Sequence, residues 1–147
     1  IWFYKIINKK LIVHNIDTIL LGRDFNEINE FLDNYDGVID VIISEYAGYS
    51  YVSLNNQGLI NEIAEKKVIS NFATTGMYCF SNYNQYLECY SKIHSADKEL
   101  FVSDVYKEYL KKDLTLFKLQ SHNAITYEVG TPEQYEELLK NESFNNI

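Results

Sequence analysis

Apolar positions along this chain change their period several times, and each change predicts an element. LIVHNID (11 to 17) is a short apolar run that turns polar, so it predicts a buried strand with Asn15 and Asp17 at its tip. DFNEINEFLDNY then sets Phe25, Ile28, Phe31 and Leu32 at helical spacing behind Asp24, whose carboxylate can accept the free N–H groups of a first turn. Asp36-Gly37 closes that helix, and GVIDVIIS (37 to 44) is a second buried strand. YSYVSL and LINEIAE flank Asn55-Asn56-Gln57-Gly58, which has the residue types of a tight hairpin turn. TGMYCF is a third apolar strand, opened by Thr75-Gly76.

The second half continues the alternation. NYNQYLECYSKIH aligns Tyr83, Tyr86, Leu87, Tyr90 and Ile93 on one helical face. SDVYKEYLKK opens a helix at Ser103, with Tyr106, Tyr109 and Leu110 inward and lysines at the end that suits the helix dipole. TLFKL and ITYEV read as strands, and Thr131-Pro132-Glu133 starts a last helix with an N-cap, a proline at the first position and an acid in the first turn. SFNNI reads as a frayed tail. Strands alternating with helices, plus one hairpin, predict an α/β domain with a mixed sheet. Ligands of such sheets bind beyond the carboxyl ends of the strands, which directs attention to Asp17, to the stretch from Glu65 to Gly76 and to Glu128.

At 147 residues the chain is one domain's worth, and it shows no repeat, linker or low-complexity segment. Thirteen Lys and Arg against 21 Asp and Glu give a net charge of −8, which disfavours a nucleic-acid or anionic-membrane surface. A small anionic ligand stays compatible, because one lysine or one metal ion can hold a phosphate locally. Cys79 and Cys89 have neither metal-ligand spacing nor a disulfide framework, so a reducing cytoplasm is the expectation and Cys79 reads as a core residue. No stretch is long and apolar enough for a membrane span, and IWFYKIINKKLIV is too broken by polar residues to be a signal peptide. The abrupt apolar start, Trp2 to Ile7, favours a fragment whose missing segment packs there.

The candidate residues each have two readings. Asp17 could coordinate Mg²⁺ or simply make a turn. Glu65 and Lys66 could bind a hydroxylated, phosphorylated ligand, or form a solvated hairpin end beside Lys67. Thr75-Gly76 signals close backbone approach, either to a ligand or at a bulge. Glu128 before Gly130-Thr131 could be a second metal ligand at an anion-friendly helix start, or part of a cap. His14, His94 and His122 are scattered and read as structural or surface residues.

In order and spacing, LIVHNID, YSYVSLNNQGLINEIAEKKVIS, FATTGMYCF, ELFVSDVYKEYL and YEVGTPEQYEEL resemble the C-terminal part of a sugar-phosphate nucleotidyltransferase, from about Leu11 to Leu139. The resemblance is greatest to the branch serving capsule and surface-polysaccharide biosynthesis. It implies a Rossmann-like nucleotidyltransferase (GT-A-like) fold with a mixed sheet, residues 1–147 being the C-terminal portion of a single domain. It also implies a cytoplasmic transferase that converts an NTP and a sugar 1-phosphate, or a similar phosphorylated acceptor, to a nucleotide-sugar and pyrophosphate with Mg²⁺. Asp17 then matches the metal-binding aspartate, Glu65 the acid on sugar hydroxyls, and Lys66 the lysine on the sugar phosphate. Asp17 and Lys66 are thereby the catalytic pair, Thr75 and Gly76 line the sugar pocket, and Glu128 is the second metal ligand. Two departures stand out: Glu replaces the usual Asp at 128, and the family's N-terminal glycine-rich nucleotide loop has no counterpart in the chain.

The expectation is therefore an enzyme as the full-length protein, with this fragment inactive alone. Its partners would be an NTP and a phosphorylated small molecule, with neither nucleic acid nor membrane involved, and a homo-oligomer is permitted. A non-catalytic family module that binds a ligand or partner chain is the alternative. A glycosyltransferase of related fold would need an Asp-x-Asp motif, which NID is not.

Overall fold

The computed structural model describes residues 9–93, 100–122, 124–141 and 144. The strands are β1 (Leu11–His14), β2 (Thr18–Leu21), β3 (Gly37–Ile43), β4 (Ser50–Leu54), β5 (Ile60–Glu65), β6 (Phe72–Phe80), β7 (Leu116–Leu119) and β8 (Ile125–Glu128). The helices are α1 (Phe25–Asn34), α2 (Tyr83–Tyr90), α3 (Val102–Lys111) and α4 (Pro132–Leu139). The main sheet runs β5-β4-β6-β3-β7, with β1 also on β6, while β2 and β8 form a separate antiparallel ribbon. Only β3 and β7 pair in parallel among the described strands, so the sheet is mixed, as the alternation predicts.

Alternation along β3 and β6 separates two cores. Val38, Met77 and Cys79 join Ile28 and Leu32 of α1, whereas Ile39, Tyr78 and Phe80 meet Val105, Tyr106 and Tyr109 of α3. Phe80 stacks on Tyr106 at a centroid distance of 4.6 Å, and burial of such a ring is worth roughly 1.5–3 kcal/mol. Local chemistry sets the helix starts as anticipated. Asp24 accepts from the N–H groups of Asn26 and Glu27, and Thr131 and Gln134 form a reciprocal capping box.

Several expectations are corrected. β1 stops at His14 and is half-exposed rather than buried, because among the described residues it pairs only with β6. Asp17 consequently lies in the turn between β1 and β2, and β2 is a strand that the apolar pattern does not predict. Phe25 projects outward, 61% exposed. In α2 the buried residue is Cys89, while Leu87 and Tyr90 stay exposed; this short helix packs against α3 along the edge where Tyr86 meets Phe80. Thr75-Gly76 lies inside β6 rather than at its start. His94, Trp2 to Ile7 and most of the SFNNI tail fall outside the described residues.

Candidate functional site

The placement of Thr75-Gly76 follows from how β6 is paired. On one edge β6 pairs with β4 through Phe72 and Ala73, then with β1 from Met77 onward. On its other edge the register against β3 shifts between Ile39 and Val41, so that Asp40 faces a bulge containing Thr75 and Gly76. Gly76 takes φ +87°, a conformation that favours glycine, and its carbonyl accepts from the Asn15 N–H at 3.0 Å. The gap between the two partners of β6 opens a cleft of about 480 Å³. Asp17, Glu65, Lys66, Thr75, Gly76 and Glu128 all line it.

Each wall has its own physical origin. Glu65 ends β5, where its Oε2 accepts from the hydroxyls of Ser50 and, at 3.1 Å, Ser103 of α3. Oε1 receives no hydrogen bond among the described residues and so retains acceptor capacity. Lys66 follows in a left-handed conformation (φ 51°), held by its N–H on the Tyr49 carbonyl. Its ammonium lies 5.2 Å from the centroid of the Phe101 ring, a cation–π contact, and no carboxylate pairs with it among the described residues.

Opposite stands the β2–β8 ribbon, which brings together residues from the two ends of the chain. Thr18 is the register partner of Glu128, and the Asp17 carbonyl accepts the Val129 N–H at 2.9 Å. Glu128 accepts from the Gln134 amide at 2.6 Å. Burial raises the Glu128 carboxyl and neighbouring Asp17 raises it further, against the opposing hydrogen bond from Gln134. Two like charges in such proximity are stabilised by a cation. The donor set suits Mg²⁺, which is commonly held by one or two carboxylates and completes its shell with water and phosphate oxygens. No third His, Cys, Asp or Glu joins them in a metal-binding group among the described residues.

Sequence reasoning did not find Asp40, Arg23, Ser50 or Tyr78. Asp40 is buried beneath the cleft, where Oδ2 accepts from Thr75 and from Arg23. A charge inside GVIDVIIS was the available signal. Tyr78, in the cleft lining, shares a hydrogen bond with Thr74 at 3.0 Å. His14 meets Thr18 Oγ1 at 2.9 Å and His122 is exposed, in keeping with structural and surface roles.

A mixed sheet with helices on both faces, and a cleft over the β6 bulge beside a two-stranded ribbon, define an α/β fold of the Rossmann-like nucleotidyltransferase type. A nucleoside-diphosphate-sugar pyrophosphorylase from Vibrio cholerae superimposes over 90% of this chain and 56% of its own, with a TM-score of 0.72 and 23% identity. A Bacillus anthracis protein named as a glucose-1-phosphate thymidylyltransferase, solved with sucrose, gives a TM-score of 0.75 and 21% identity over 95% of this chain and 56% of its own. An apo UDP-glucose pyrophosphorylase gives 0.75 and 17% over the same shares. The chain thus spans little more than half the length of these solved chains. No protein-family model matches it, and no curated protein matches it in sequence.

Proposed function

We propose that this chain forms the metal- and acceptor-binding side of a sugar-phosphate nucleotidyltransferase, residues 1–147 being the C-terminal portion of one such domain. The observation that carries the reading is convergence: Asp17, Glu65 with Lys66, Thr75 with Gly76, and Glu128 come from four separate segments to one cleft. The fold likeness to nucleotide-sugar enzymes supports the same reaction class. The narrower assignment, nucleotide-sugar supply for capsule or surface polysaccharide, rests on the resemblance in sequence.

In this reading Glu65 accepts a hydroxyl of the acceptor and Lys66 meets its phosphate as a point charge. Thr75 and Gly76 let the acceptor approach the backbone closely. Asp17 and Glu128 would hold Mg²⁺, which when bound supplies Lewis-acid stabilisation of phosphate charge. The chain's contribution is chiefly to hold the acceptor oxygen in line for attack, the largest lever where no covalent enzyme intermediate is needed.

The test is pyrophosphate release by the full-length protein over a panel of NTPs and sugar phosphates. Asp17→Asn is expected to abolish Mg²⁺-dependent turnover while the fold persists, and wild-type rates would overturn the metal role. Lys66→Ala should mainly weaken acceptor binding; an unchanged apparent affinity would refute the phosphate role. Ligand binding without turnover in the full-length protein would favour the non-catalytic module instead.

A further inference from the structure

We infer that Arg23 and Asp40 form a positioning clamp that sets where the β2–β8 ribbon, and hence its two carboxylates, stands relative to the Thr75-Gly76 bulge. The structural part is independent of the proposed function; the metal-binding consequence rests on that reading.

The clamp is continuous and dry. The side chains of Arg23 and Asp40 are 2% and 1% exposed. One terminal nitrogen of Arg23 donates to the Leu21 carbonyl at 2.9 Å and to the Ile125 carbonyl, tying the two strands of the ribbon together. The other donates to Thr126 Oγ1 at 2.6 Å and to Asp40 Oδ2 at 3.0 Å. Nε reaches the same Oδ2 at 3.2 Å, and Thr75 donates its hydroxyl to it at 2.6 Å. A single path of polar contacts therefore runs from ribbon to bulge.

Two features separate this from an ordinary stabilising pair. Asp40 Oδ1 is buried without a hydrogen-bond partner among the described residues, so the pair is a poor stability device compared with apolar packing. A planar guanidinium with several directed donors is instead well suited to fixing geometry. The lever arm also matters. Arg23 grips the Leu21–Ile125 end of the ribbon, whereas Asp17 and Glu128 lie at the Thr18–Glu128 end, about 10 Å away along the strands. A small rotation at the clamp would thus displace the carboxylates. Leu20 of β2 packs on the α1-side apolar cluster, so the polar clamp acts beside an apolar attachment of the ribbon.

Residue-resolved amide hydrogen exchange on this chain tests the clamp without any ligand. In Asp40→Asn, the β2 and β8 amides should exchange about tenfold faster, with Ile39 and Val52 unchanged. Ile63→Val, a core control, should affect the sheet without singling out the ribbon. Thr126→Val removes one arm alone and should accelerate β8 exchange about threefold, which decides the matter if Asp40→Asn does not fold. Unchanged ribbon protection in the folded variants, or equal loss across ribbon and sheet, would overturn the inference. With Mn²⁺ as probe, Asp40→Asn should weaken wild-type binding about tenfold, as loss of outer support for a metal site does. A wild-type chain that binds no Mn²⁺ would defeat the metal-site reading, while the exchange data would still decide the clamp.

Discussion

The hydroxyl of Ser103 in α3 donates to Glu65 Oε2 at the end of β5, 3.1 Å away, and Ser50 donates to the same oxygen. Glu65 is therefore both a wall of the cleft and a polar tie between β4, β5 and α3. Glu65→Ala strands the buried Ser103 hydroxyl and should destabilise the fold by about 1–3 kcal/mol, whereas Glu65→Gln, which keeps an acceptor, should cost less. Urea unfolding measures both. An alanine variant as stable as wild type would mean that the hydroxyls find other partners.

Gly76→Ala tests the bulge. A side chain there must adopt φ +87°, and its Cβ would stand 2.7 Å from the Asn15 side-chain nitrogen. A loss of about 1–2 kcal/mol is expected from the backbone alone, with the clash adding to it. Combining it with Asn15→Ala should recover only part of the clash, since the Asn15 Cβ 2.9 Å away remains, so full recovery in the double variant would dismiss backbone strain as a cause.

Glu128 makes stability depend on pH in a direction that can be worked out. Its folded pKa lies above the unfolded value, so the folded state holds its proton more tightly. The penalty for ionising it is absent below the unfolded value, grows as pH rises through the raised folded value, and is complete above it. Glu128→Gln should thus gain stability relative to wild type at about pH 7 compared with about pH 4. Mg²⁺ should raise the wild-type melting temperature at the higher pH and have little effect at the lower. Calorimetric scans showing the same Mg²⁺ shift at both would count against the carboxylate pair.

The cysteines should be inert in the native state. Burial, followed by the charge of Asp40, pushes the Cys79 thiol up to about 12, and burial also raises Cys89. The reactive species is the thiolate, so a thiol reagent should label neither residue before unfolding and both in concentrated urea. Rapid labelling of the folded chain would place at least one thiol outside the core.

The legible elements were those whose signals are local. The Asn55–Gly58 turn, the Asp24 cap and the Thr131-Pro132 helix start are encoded within a few residues, and each appears where anticipated. β2 was missed because four residues between Asp17 and Gly22 carry little periodicity, and its partner β8 is remote in sequence. α2 was misoriented because two turns of mixed aromatics do not specify which edge meets α3.

The sequence by itself determined the alternation of elements, their caps and the residue types that could serve an anionic ligand. Tertiary structure alone decided that Asp17 and Glu128 share a ribbon and that Thr75-Gly76 sits in a bulge between two partners of β6. It also decided that Arg23 and Asp40 neutralise one another beneath the cleft. The division has a physical cause. Periodicity and capping depend on neighbours within a turn or two, whereas strand order, register and buried charge pairing depend on which distant segments exclude water together.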